Sequence, residues 1–277
     1  MKPVSELYGR HPGADIYVVG TGTSMRVFPV SLLEGKITVG LNMAWKNAPI
    51  TYGITIAPHL NIPECMDGEA PHPEITWVTK RDKAKVKLTP EQFERADAAY
   101  YTFDIRHGKD SGSGDWVTDT GRELGYVRRP TGDLLYQWSS ISQTAANLAA
   151  NMGARNVILV GCDNCSLEGN HHAHQQHTKW LGEPPDVRYR QYYEGLAEVR
   201  SALRERGVSL VSLSPFLKLD EPAMDFHRLC DELERPELIE AGADMSEADH
   251  PRHLAKAAKP PTSPAPSLLR RALGKIR

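Results

Sequence analysis

Short unbroken runs of apolar, largely β-branched or aromatic residues recur along the chain at 15–19, 36–41, 50–56, 75–79, 100–103, 156–160 and 208–213. The runs are continuous rather than alternating, the pattern of strands covered on both faces and hence of a parallel sheet. Between them lie stretches with helical spacing. Thr89-Pro90-Glu91 supplies a cap and a proline for a helix ending near Ala99. Ser140 or Ser142 starts an alanine-rich helix through residues 144–152, stopped by Gly153. Residues 187–206 carry Tyr189, Tyr193, Leu196, Val199 and Leu203 on one stripe, with Gly207 as the stop. The alternation predicts an α/β domain: a doubly wound, mostly parallel sheet with helices on both faces.

Other stretches break the pattern. Residues 80–87 are strongly basic and read as a solvated face. Residues 106–125 are polar and hold five glycines, which predicts a flexible flap over a site. The sheet pattern ends near 220, so residues 1–220 form the expected domain, with 221–256 a helical appendage. Residues 257–266 contain four prolines and read as a linker. The segment 267–277 is short, basic and amphipathic, and residues 250–277 hold no acidic side chain, a composition suited to peripheral contact with an anionic membrane surface.

Composition narrows the classes. A chain of 277 residues with 40% hydrophobic and 25% charged residues can build one large core. A net charge of −2 gives no general case for nucleic-acid binding. No apolar run approaches the ~18 residues of a membrane span, and the first fifteen residues lack the apolar core of a signal peptide. Four cysteines are too sparse for a disulfide framework, so the expected setting is the cytoplasm, with the inner face of the membrane as the place where the tail could act.

The densest candidate chemistry lies at the first strand's exit, Gly20-Thr21-Gly22-Thr23-Ser24. Glycine there lets backbone N–H groups approach an anion, and the first turn of a following helix adds further donors. The dinucleotide fingerprint is incomplete, because Met25 stands where a third glycine belongs, and Asn42 rather than an acid follows the second strand. Asp163 follows the strand at 156–160, a ligand position in open α/β sheets. His171, His172, His174 and His177 crowd the next segment, close to Cys162 and Cys165. Histidine suits general-base work, substrate binding or zinc ligation, and a polar surface loop is the plain alternative.

Taken together, these motifs resemble the bacterial sialyltransferase family that uses CMP-activated sugars, and the related Maf-type flagellin-glycosylation proteins. Gly20, Gly22 and Ser24 look like the family's G-x-G-P-S turn with Thr23 in place of proline, and Asn42 looks like the asparagine closing its second strand. Ser140 or Ser142, the alanine-rich helix, Arg155 and Gly161-Cys162-Asp163 look like its later signature. The resemblance covers roughly residues 14–215. It implies a Rossmann-like glycosyltransferase that moves a sugar from a CMP-sugar donor to an acceptor hydroxyl with inversion. It implies nucleotide binding across Gly20, Thr21, Gly22, Thr23, Ser24, Asn42, Ser140, Ser142 and Asp163. The family's catalytic histidine position falls near Arg190, so His174 and His177, with Asp163, are the expected catalytic residues. No cofactor is required for that chemistry, although Mg²⁺ is compatible with it. The expected partners are the donor, a glycan, lipid or protein acceptor, and a second copy of the chain. A Mg²⁺-dependent diphosphotransferase acting on pterins, or a non-catalytic nucleotide-binding module, are the competing expectations.

Overall fold

The structure is a computed structural model, and it describes residues 1–66, 69–105, 120–138, 140–163, 172–173, 185–214, 217 and 219. Among the described residues eight strands form one sheet: β1 (Lys2–Pro3), β2 (Asp15–Val19), β3 (Ile37–Leu41), β4 (Tyr52–Thr55), β5 (Thr76–Lys80), β6 (Tyr101–Phe103), β7 (Asn156–Val160) and β8 (Ser209–Ser212). Their spatial order is β1-β6-β5-β4-β3-β2-β7-β8, and every pairing is parallel. The fold is therefore α/β and Rossmann-like, with a fully parallel sheet where a mostly parallel one was expected.

Helices α1 (Pro58–Asn61), α2 (Arg81–Lys87), α3 (Pro90–Ala99), α4 (Thr120–Arg128), α5 (Ile141–Asn151) and α6 (Pro185–Arg204) cover the sheet. On one face, α5 lies against β2, β3 and β7, and α4 and α6 complete that layer. Leu196, Val199 and Leu203 of the predicted α6 stripe are fully buried there, each burial contributing about 1.5–3 kcal/mol. The alanines of α5 let the layers approach closely, and Gly195 of α6 nests against Gln143: a Cβ at 195 would lie 2.0 Å from its Nε2. The other face buries Val19, Met25, Ile50, Ile62, Trp77 and Leu88 beneath short turns, α1, α2 and α3.

Several local expectations shift. The basic run at 80–87 is the end of β5 followed by α2, because Ala84 turns inward while Asp82, Lys83 and Lys87 stay exposed. The predicted flap overlaps α4, whose Leu124 and Val127 are core residues; its remainder, 106–119, lies outside the described residues. So do the appendage, linker and tail predicted beyond 220. The first crossover contains no α-helix. Two 3₁₀ turns, Thr23–Arg26 and Val30–Leu33, carry the chain from β2 to β3. The two-residue strand β1 was too short to announce itself by periodicity.

From β2 onward the strand order contains one reversal of direction. From β2 the chain adds β3, β4, β5 and β6 in one direction, and then places β7 on the other side of β2. β2 and β7 thus meet at the topological switch, the place where open α/β folds keep their binding crevice.

Candidate functional site at the switch between β2 and β7

The turn after β2 and the turn after β7 are locked together. Gly20 donates its N–H to the Val160 carbonyl at 2.7 Å, and Gly22 donates to the Gly161 carbonyl at 2.8 Å. These glycines serve close approach. A Cβ on Gly20 would lie 2.2 Å from the Gly161 oxygen, and one on Gly22 would lie 2.5 Å from Asp163 Oδ2.

Asp163 is only 3% exposed. Its Oδ2 accepts the Ser24 N–H at 2.6 Å, and its Oδ1 accepts the hydroxyls of Ser24 at 2.5 Å and Ser214 at 2.6 Å. Burial pushes its carboxyl above the usual carboxylate range, while the Ser214 and Ser24 donors pull it part of the way back. The anion that the glycine turn receives is thus the protein's own. Four amides of the turn, those of Gly20, Gly22, Ser24 and Met25, are engaged by protein acceptors. Thr23 and Ser24 are buried within the bracket, and Thr21 stands half-exposed on its rim.

Thr21 is where the histidine-rich segment touches the turn. His172 Nδ1 lies 2.9 Å from Thr21 Oγ1, and Ala173 donates its N–H to the Thr21 carbonyl at 2.8 Å. Arg26, exposed on the same turn, donates from Nε to the Ala173 carbonyl at 3.1 Å. The histidine and the guanidinium therefore both sit at the outer side of the turn after β2. His174 and His177, the expected bases, lie outside the described residues.

Asn42 ends the neighbouring strand β3 with φ at +52°, the one described non-glycine residue in the left-handed region. Its Oδ1 accepts the Thr55 hydroxyl at 3.0 Å, its backbone N–H donates to the Ile54 carbonyl, and Asn61 Nδ2 donates to the same Thr55 oxygen at 2.9 Å. A side-chain network thus spans the carboxyl ends of β3 and β4. Ser140 is the N-cap of α5, forming a capping box with Gln143, and its hydroxyl lies 2.6 Å from that of Ser142. Both serines are committed to starting the helix.

Cys162 leaves β7 pointing into the core, with its sulfur 4.0 Å from the Val18 carbonyl. Burial pushes its thiol well up, which disfavours the thiolate that a metal ligand or nucleophile requires. Cys165 lies outside the described residues, and among the described residues no group of three potential metal ligands gathers.

The sequence reading named Gly20 to Ser24 and Asp163 separately but did not foresee that they bind one another. It passed over Arg26, and it named His172 among the histidines of its segment while choosing His174 and His177 as the bases. Arg26 sits two residues past Ser24 in the same turn, a basic residue at an anion-type loop, and that spacing was the available signal. His172 carried no signal distinguishing it from its neighbouring histidines. No family model, curated protein or solved structure matches the chain.

Proposed function

We propose that the protein is a glycosyltransferase that takes a nucleotide-activated sugar, of the CMP-sugar class, at the crevice between β2 and β7. The observation that carries this reading is the seating of His172 on Thr21, with Arg26 beside it, at the topological switch of a parallel sheet. In the tautomer whose Nδ1–H donates to Thr21 Oγ1, Nε2 of His172 carries the lone pair that accepts the proton of the acceptor hydroxyl. As that proton leaves, the acceptor oxygen forms a bond to the anomeric carbon from one face. The bond from that carbon to the nucleotide phosphate oxygen breaks on the other, which inverts the centre. The phosphate leaves with the electron pair, and the Arg26 guanidinium stabilises its growing negative charge. Asn42 contacts the nucleotide from the end of β3. Asp163 is a positioning residue, holding the turn that carries Thr21 and Arg26.

Thermal-shift titration with CMP, UDP, ATP and NAD, each with and without Mg²⁺, tests the reading, because a ligand that binds the folded state raises the melting temperature by mass action. CMP should raise it without metal. Arg26→Ala should weaken CMP about tenfold or more, equivalent to ~1.4 kcal/mol. His172→Gln should keep the CMP shift yet abolish release of CMP from a CMP-sugar. A shift from ATP with Mg²⁺ alone would replace this reading with the diphosphotransferase. CMP binding with no CMP-sugar turnover over a broad acceptor panel would leave a nucleotide-binding module.

A further inference from the structure

A second cavity of about 750 Å³ opens at the amino ends of β5 and β6, the opposite edge of the sheet from the switch crevice, between α3 and the chain after α1. Its volume falls within the range of small-molecule sites. Trp77 and Tyr100, 2% and 6% exposed, form its apolar wall. The benzo edge of Trp77 lies on Gly53, where a Cβ would come within 2.1 Å of Cζ3, so the edge bearing Nε1 turns away from β4. That N–H is buried with no acceptor.

The polar lining is unevenly matched. Glu64 accepts the His72 backbone N–H at 3.0 Å through Oε1, while Oε2 is buried without a partner. Lys2 rests its ammonium 5.4 Å from the Tyr101 ring, and neither it nor Arg95 pairs with a described carboxylate. Glu69, the other acid of the lining, is already paired with Lys46. The cavity therefore offers two cations at its surface, Lys2 and Arg95, while the Trp77 N–H and Glu64 Oε2 lie unpaired just beneath its wall, out of reach of water.

We infer that this cavity binds a small zwitterion with a flat apolar body, the chemistry of an aromatic amino acid. The ligand carboxylate meets Arg95 and Lys2, and side chains of the wall shift to admit the rest: Glu64 turns its unpaired oxygen to the ammonium, and the ring lies on the face of Trp77 and Tyr100 so uncovered. The site is independent of the nucleotide crevice, and it stands or falls without it.

The test labels the full chain with 5-fluorotryptophan and follows the ¹⁹F resonance of Trp77, assigned with Trp77→Phe or, should that variant not fold, by assigning the other four tryptophans. Phenylalanine should shift that resonance saturably. Phenylacetate, which lacks the ammonium, and phenethylamine, which lacks the carboxylate, should each bind about tenfold more weakly or worse. Arg95→Ala and Glu64→Gln, both in positions that leave the core intact, should each weaken phenylalanine by a similar factor. The inference is overturned by an unmoved Trp77 resonance at millimolar phenylalanine, or by phenylalanine binding that both variants leave unchanged. Phenylacetate binding as well as phenylalanine would also overturn it, since Glu64 would then have no part.

Discussion

Asp163 meets its donors where almost no water reaches, and that setting governs how the residue responds to acid. Its carboxyl titrates higher in the folded protein than in the unfolded chain. Protonation therefore favours the fold: this contribution is fully present below the unfolded value and fades as pH rises through the folded one. Asp163→Asn, which keeps the shape without the charge, should remove that dependence. The melting-temperature advantage of the wild type over Asp163→Asn should accordingly narrow as pH rises above the ordinary aspartate value of about 4, as measured by circular dichroism. Asn42 yields a second prediction. Alanine at its positive φ loses both the backbone tolerance of asparagine and the bond to Thr55, so Asn42→Ala should cost about 2 kcal/mol in urea unfolding. Asn42→Gly relieves the backbone and should cost less, about 1 kcal/mol. The identity of both residues as candidates was visible in the chain, because each follows an apolar run. Their partners were not, since Ser24, Ser214 and Thr55 reach them only through the sheet's register.

At the level of elements, two glycines in unlike surroundings should respond oppositely to the same change. Gly125 sits inside α4, and a Cβ there would meet nothing within 4 Å. Gly125→Ala should stabilise the protein by about 0.5–1 kcal/mol through helix propensity alone. Gly22→Ala drives a methyl group into the Asp163 carboxylate and should destabilise by about 2 kcal/mol or more, visible as a lowered denaturation midpoint with an unchanged slope. Sequence spacing found α3, α5 and α6, each with a cap or an apolar stripe. It missed α2, whose charged residues hide any periodic signal around the buried Ala84, and it mistook the glycine-bearing start of α4 for loop. The crossover after β2 was misjudged for a different reason. Met25 and Leu33 are buried through 3₁₀ turns, while Val27 and Leu32 stay exposed, and such turns have no 3.6-residue stripe to read.

For the molecule as a whole, the alternation of apolar runs with helical stretches was enough to specify a parallel α/β sheet, because only a sheet covered on both faces needs uninterrupted apolar strands. Which strand lies beside which was not legible, and the pairing of β1 with β6 shows why: Lys2 is matched with Tyr101 across most of a hundred residues. Strand order also predicts where the structure opens last. Native-state hydrogen exchange should find the slowest amides in β2, β3 and β7, which have partners on both sides, and faster exchange in the edge strands β1 and β8. Equal protection from centre to edge would contradict the sheet order described above.

The bracket around Asp163 also sets a timetable for the newborn chain. Ser24 and Asp163 are 139 positions apart, and Ser214 comes 51 positions later still. At the usual ~5–20 residues per second of synthesis, the first glycine loop waits on the order of ten seconds or more before its carboxylate emerges. Until then residues 20–24 are a loop with an open anion-binding face, exposed to whatever phosphates the ribosome's surroundings contain. A release assay on stalled nascent chains should therefore find the folded arrangement only once residue 214 has cleared the exit tunnel.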